Sequence, residues 1–510
     1  MNRPVRSRRV LLQGTAALTF APWLLHDTRA ADVPRFALGV ASGQPRSDGM
    51  VLWTRLIGAD LPQRVPVRWE LARDENFREI AALGVETAEG AWAHSVHAEA
   101  VGLEPGRWYW YRFTAGDARS PVGRTRTAPA AGSAPARLRF AFASCQHYEH
   151  GYYTSYRHMV ADDLDLVVFL GDYIYESSLR RNQVRVHERV EEPVTVEEYR
   201  ARYALYKADR ELQSAHHAYP WIVTWDDHEV DNDYANDRQE DGVPPEEFLL
   251  RRAAAYRAYY EHMPLPAGMR PSGPAMQIHA TLGWGNLANF HLLDGRQYRS
   301  PQACPRKAGG GNDVDVRECT DLHNPSRTML GAPQEAWIDR QFAASRAAWN
   351  IVAQPVLMAQ LKTSSGDRQR LWSDSWDGYP VARRRFLESI AARKPANPVV
   401  IGGDVHMHFA ADLKLDFDDS ASPIVASEFV GTSITSRPGP WEKNLPAVLA
   451  ENPHLKYGRG DRRGYVRASI AGGRLSVELI GVDTVKMPQA RAEVLASFVV
   501  ENGKPGPQRA

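Results

Sequence analysis

Four apolar runs, each stopping abruptly at residues able to bind a metal, constrain this chain more than any other feature. The first is Phe140-Ala-Phe-Ala-Ser144-Cys145-Gln146-His147. The second is Val168-Phe-Leu-Gly171-Asp172-Tyr173-Ile-Tyr175-Glu176. The third is Thr224-Trp-Asp226-Asp227-His228-Glu229-Val-Asp231-Asn232-Asp233, and the fourth is Ile401-Gly-Gly-Asp404-Val-His406-Met-His408. Short apolar runs of this kind read as buried strands, and in α/β folds the strand exits are where ligand sites collect. Singly, each segment has a plain explanation: Gly-Asp is a common turn, Asp-Asp-His can cap a helix, and a lone cysteine is more often core. If the exits converge, however, a thiol, a phenol, several carboxylates and imidazoles share one cleft. Burying that many ionisable groups is costly unless they are paired or bind cations.

Donor type then selects the ions. Carboxylate and amide oxygens favour a hard ion such as Ca²⁺ or Mg²⁺. A thiolate, a phenolate and an imidazole beside a carboxylate suit a transition metal such as iron. Two unlike ions sharing a bridging aspartate suit phosphoryl displacement, because together they clamp the attacking and leaving oxygens.

Around this nucleus the 510 residues are expected to form two domains. Residues 32–130 read as all-β, with runs such as Val51–Leu56 and Val67–Leu71 between turn signals. The aromatic run Trp108-Tyr-Trp110-Tyr-Arg-Phe113 behind a Pro-Gly turn resembles a strand of a fibronectin- or immunoglobulin-type sandwich. A linker at Ala128–Ala136 leads into residues 137–500. There the strand-like runs Leu138–Ala143, Leu164–Leu170, Trp221–Trp225, Ile351–Pro355 and Val399–Ile401 alternate with helical patterns. The helices are expected at Thr154–Ala161, Glu246–His262, Gln334–Ala347 and Val381–Ala392, giving an α/β domain. Arg463–Ile470 and Arg474–Val482, joined through Ala471-Gly-Gly, read as a hairpin. The polar stretch Ser177–Arg210 and the loop Cys304–Cys319 are candidate lids.

The N-terminus carries an address. Ser7-Arg8-Arg9-Val10-Leu11-Leu12 opens a modestly apolar stretch to Leu25, and Thr28-Arg29-Ala30 looks like a cleavage site, so residues 1–30 read as a twin-arginine signal. Gln13, Gly14 and Thr15 make the stretch too short and polar for a bilayer span of roughly 20 residues, so no stable membrane anchor is expected. Export to the periplasm or beyond allows Cys304 and Cys319 to pair across a loop of about 15 residues, worth roughly 3 kcal/mol. Cys145 is then left over, either inert or chemically employed. Residues 1–30 hold five arginines and one aspartate of a chain with net charge +1, so the remainder carries −3. A near-neutral mature chain offers no general nucleic-acid footprint, and small-molecule partners and a monomer are expected.

The four exits, together with Gly151-Tyr-Tyr-Thr154, Asp294-Gly-Arg296-Gln-Tyr298-Arg299 and Asp374-Ser-Trp-Asp377-Gly-Tyr379, resemble the motifs of the alkaline phosphatase D family of metallophosphoesterases. The resemblance covers most of the chain in the same motif order. It implies an N-terminal sandwich followed by an α/β domain of two sheets flanked by helices. It implies Fe³⁺ held by Cys145, Asp172, Tyr175 and His406, with one or two Ca²⁺ at Asp227, Asn232 and Asp404, and Asp172 bridging. His408 is an alternative ligand or a supporting group. His228 is the best candidate for general acid or phosphate contact; arginines such as Arg157 or Arg296 are candidates for further phosphate contacts, with a surface or structural ion pair the commoner reading of each. The implied reaction is attack of a metal-held hydroxide on a phosphate mono- or diester, with twin-arginine export machinery as a partner. A phospholipase D-like phosphodiesterase is one alternative. A non-catalytic exported binding protein is another, which the completeness of the ligand set disfavours.

Overall fold

Strands whose every side chain is buried need cover on both faces, and that requirement organises the fold. In the computed structural model, which describes residues 35–364 and 369–510, Leu166–Leu170 and Pro220–Thr224 are buried throughout. Leu166–Leu170 runs parallel between Arg137–Ala143 and Pro220–Thr224, with Val168 opposite Phe142 and Ile222. Successive side chains point to opposite faces. Ala141, Val167, Phe169, Trp221 and Val223 therefore join the core shared with the helices Thr154–Ala161, Val196–Lys207, Arg210–Ala218 and Pro245–His262. Phe140, Phe142, Val168, Leu170 and Ile222 enter a second core that faces another sheet.

That sheet has seven strands, with Ala288–Leu292, Trp349–Ala353, Pro398–Gly402 and Ile424–Val430 parallel to one another. Phe290, Ile351, Val399 and Ile401 meet the first sheet, and Phe290 packs edge-on against Phe140 with ring centroids 5.2 Å apart. Val352 and Val400 face the other way, onto Ile338 and Phe342 of Gly331–Ala344 and Phe386 and Ile390 of Pro380–Arg393. The layers run helix, sheet, sheet, helix.

Arg463–Ala471 pairs antiparallel with Arg137–Ala143, turns through Gly472 and Gly473, and returns as Arg474–Val482. Both glycines have positive φ (57° and 79°), as a two-residue hairpin turn demands. Ala492–Glu501 and Lys504–Arg509 follow in the same sheet, carrying it past residue 500.

The N-terminal sandwich is present, but one of its sheets is not its own. Val40–Arg46 pairs parallel with Pro220–Thr224, and Gly49–Arg55 and Ser95–Val101 continue outward, making ten strands in all. Arg64–Ala72, Ile80–Glu89 and Trp108–Ala115 belong to the facing five-stranded sheet. Between them lie Met50, Leu52, Val67, Leu71, Tyr109, Tyr111 and Phe113. The irregular stretch near residue 130 thus separates chain segments while the sheet runs on across it.

In the stretch Ser177–Arg210, weighed as a lid or as surface decoration, most of the second half is the helix Val196–Lys207. Thr195 and Glu198 form a reciprocal capping box, and Tyr199, Tyr203 and Tyr206, at helical spacing, are buried. The charged residues between them mask this apolar face. Cys304 and Cys319 are disulfide-bonded, beside Ala303, Val314, Leu322 and Leu371. The leader at residues 1–30 lies outside the described residues. No described helix is long and apolar enough to cross a membrane.

Candidate metal centre

The loops leaving Arg137–Ala143, Leu166–Leu170, Pro220–Thr224 and Pro398–Gly402 meet at one end of the two sheets. Cys145 N–H donates to the Gly171 carbonyl at 3.2 Å, and Gln146 N–H to the Asp172 carbonyl at 3.1 Å. Gly403 sits so close to Ser144 that a Cβ there would lie 2.2 Å from its Oγ. Cys145, Asp172, Asp404 and His406 all have left-handed backbone, with φ of 60°, 57°, 64° and 55°. Such conformations cost non-glycine residues roughly 1–3 kcal/mol each and cluster at functional sites.

Side-chain donors converge where the exits meet. One ligand atom each from Cys145, Asp172 and His406 lies within 4.8 Å of the others. The Tyr175 hydroxyl donates to Asp172 Oδ2 at 2.7 Å and lies 3.2 Å from His406 Nε2. Cys145 is 1% exposed, and Asp172 Oδ1 is buried without a partner. Burial, with Asp172 beside them, raises both the Cys145 thiol and the Tyr175 phenol. Burial also raises Asp172, and holds His406 neutral at about 3. A thiol, a phenol and a carboxyl are thus crowded together where burial disfavours their ionised forms, and a cation would compensate those forms.

Asp227 adjoins this group. Its carboxylate clusters with Asp172 and His228, and again with Asp233 and Asp374. Burial pushes Asp227 up, but Arg296 and His228 outweigh it and hold the carboxyl low. Asp233 is lifted to about 8 by burial and by Asp374. Its neighbour Asp226 turns away, paired with Arg296. Asp172, Asp227, His228, Asn232, Asp404 and His406 line one cavity of roughly 290 Å³.

His228 Nδ1 lies 2.7 Å from Oε2 of Glu176, whose Oε1 accepts from Asn232 N–H at 3.3 Å. Burial lowers the imidazole's pKa, but Glu176, Asp227 and Asp172 outweigh it and raise it well above the ordinary value. His228 is therefore an imidazole whose charged form is favoured by a buried carboxylate.

The two sheets and these strand exits recur in known proteins. Family models described as PhoD-like phosphatase and its N-terminal domain match residues 140–479 and 22–129. Alkaline phosphatase D of Bacillus subtilis is 46% identical, over 92% of this chain and 82% of its own. The chain belongs to the PhoD-like phosphatase family. A solved structure of PhoD superposes with a TM-score of 0.88 at 44% identity, covering 94% of this chain and 92% of that one. As a PhoD-like phosphatase the chain is a phosphoric ester hydrolase.

Several groups around this PhoD-like site carry no metal-ligand signature. Glu229 accepts the backbone N–H groups of Asp172, Tyr173 and Asp226 at 3.1, 2.6 and 2.8 Å, locking two exits together. Ser436 Oγ lies 2.8 Å from the Tyr175 hydroxyl and 2.9 Å from the Cys145 carbonyl, within hydrogen-bond reach of both. The two arginines weighed as phosphate contacts are both engaged in ion pairs, the commoner reading of each: Arg157 pairs with Glu211, and Arg296 is enclosed by Asp226, Asp227 and Asp374. His408 is a supporting group. Its Nδ1 accepts from Thr432 N–H at 3.2 Å and its Nε2 lies 3.3 Å from the Ile480 carbonyl, while Thr432 Oγ1 donates to the His406 carbonyl.

Proposed function

We propose that this enzyme is an exported metallophosphoesterase with a mixed iron and calcium centre, hydrolysing phosphate mono- or diesters. Cys145, Asp172, Tyr175 and His406 would hold Fe³⁺, and Asp227, Asn232 and Asp404 would hold one or two Ca²⁺, with Asp172 common to both. The observation that carries this reading is the meeting of a thiol, a phenol, an imidazole and a half-unpartnered carboxylate around Asp172. Asp172 belongs both to the group with Cys145 and His406 and to the group with Asp227 and His228, and a thiol in one beside a second carboxylate in the other fits two unlike ions better than two alike. Bound there, the ions supply charge neutralisation at phosphorus and a water acidic enough to attack it.

The chain's own residues do the rest. Glu176 occupies Nδ1 of His228, so Nε2 is the atom with a proton to give, and the leaving oxygen is its natural recipient. Ser436 and Glu229 fix the tyrosine and the two strand exits, so the donors need not reorganise during reaction.

Export rests on Arg8-Arg9 at the head of the leader, and the Cys304–Cys319 disulfide suits an oxidising compartment. Elemental analysis of the exported protein, purified without added metals, should find iron near one equivalent together with calcium. Two zinc ions, or none of these metals, would refute the assignment. A variant with Arg8→Lys and Arg9→Lys should stay in the cytoplasm, and normal export would refute the route.

A further inference from the structure

The cavity has a wall that the metal chemistry does not use. Besides its acidic and histidine donors it is lined by Trp372, Val405, Gly439, Pro440 and Trp441. A phosphate dianion gains nothing from two indoles, and Trp and Tyr at a binding site generally meet something with an apolar face. Both rings are only partly buried, and each is held from behind. Trp372 lies opposite Asp313 in the short ladder Asp313–Asp315 with Arg370–Trp372, and the Asp313 strand lies within the disulfide-closed loop. Its ring reaches Gly311 so closely that a Cβ there would lie 2.8 Å from Cζ2. Trp441 packs on the helix-side core of the second sheet, beside Leu445 and Val448.

We propose that Trp372 and Trp441 form the subsite for the organic part of the ester, and that the preferred substrates carry a planar ring next to the phosphoryl group. This rests on the phosphoesterase reading. The volume, roughly 290 Å³, lies at the lower edge of the roughly 300–1,000 Å³ usual for ligand pockets. It accommodates a phosphoryl group with one ring. Each indole should add about two- to tenfold in affinity for an aromatic group over a methyl group.

The test is calorimetric titration of the purified holoenzyme with phenylphosphonate and with methylphosphonate, which share a head group that the enzyme cannot cleave. The wild type should bind the phenyl compound about tenfold more tightly or better. The Trp372→Ala and Trp441→Ala double variant should lose that preference while keeping its affinity for methylphosphonate, which also reports that it is folded. Trp372→Phe and Trp441→Phe should retain most of the preference, and they carry the test if the alanine variant does not fold. A wild type that binds both compounds alike, or a preference that survives the double substitution, overturns the proposal. Turnover of 4-nitrophenyl phosphate by the same wild-type sample reads the phosphoesterase assignment separately.

Discussion

Substituting Glu176 by glutamine should slow the enzyme selectively, in proportion to how badly the leaving group needs a proton. Glu176 is 0% exposed and 2.7 Å from His228 Nδ1. Glutamine keeps the volume and an acceptor atom but removes a charge that favours the protonated imidazole. A hydrogen bond to a charged partner is worth roughly 1.5–3 kcal/mol, and each 1.36 kcal/mol is tenfold in rate. Glu176→Gln should therefore reduce kcat about ten- to a hundredfold for alkyl phosphates, whose alkoxide leaves poorly without a proton. With 4-nitrophenyl phosphate, whose phenolate leaves unaided, the loss should be only a few-fold. KM should change little, since Glu176 acts through His228. His228→Ala should lose at least as much on alkyl esters, and the double variant no more, because two parts of one device are not additive. The assay is steady-state kinetics of the four proteins on both esters. Equal losses on the two esters, or multiplicative losses in the double variant, would refute the role given to the pair.

Three further outcomes follow from other parts of the molecule. Arg296→Met strands the buried carboxylates of Asp226, Asp227 and Asp374, so urea unfolding should show a loss of about 3–5 kcal/mol; a near-neutral change would mean that these groups are not jointly charged. Replacing Cys304 and Cys319 by serine opens a loop of 15 residues and should cost about 3 kcal/mol under non-reducing conditions; wild-type stability would argue against the constraint. His291, buried between Thr281 and Asn350, is held at about 4 by burial. An unfolded histidine takes up its proton near 6.5, so stability contributed by neutral His291 is complete above that pH. It falls as pH drops from 6.5 to 4, by about 3 kcal/mol in all. His291→Gln should flatten that part of the stability profile, and an unchanged slope would exclude His291 as its source.

How far the sequence reaches depends on the range of the interaction. Strands such as Leu166–Leu170 are legible because five consecutive apolar residues ending at Gly171-Asp172 have few other readings. Val196–Lys207 is obscured because its buried tyrosines sit among glutamates and arginines, and only its tertiary neighbours show which face is apolar. The placement of the candidate ligand residues at strand exits was legible. The residues that orient them were not: Glu176 is 52 residues from His228, Ser436 is 261 from Tyr175, and Arg296 is 70 from Asp226. No local pattern encodes pairings at such separations, and in sequence Arg296 and Arg157 look equally free to bind phosphate.

The adjacent pair Asp226-Asp227 shows what the fold adds. At the end of a strand, neighbouring side chains point to opposite sides. One carboxylate goes inward to Arg296, and the other goes to the cavity, where it meets Asp172 and His228. Arg296 also takes Asp374, which Arg299 shares, and Arg306 reaches Asp233. These three arginines do not account for Asp172 and Asp404, whose pairings with them are absent among the described residues. Burial raises both of those carboxyls well above their ordinary range, and Asp172 retains an unpartnered oxygen. Both also stand in left-handed backbone, so the fold bears a conformational cost and an electrostatic one at the same two residues. His228 and the Tyr175 hydroxyl offset part of the electrostatic cost at Asp172, and Arg296 part of that at Asp404, but burial outweighs them. A cation held at these carboxylates would offset the electrostatic cost directly, and this is the physical support for placing the proposed metal ions beside them.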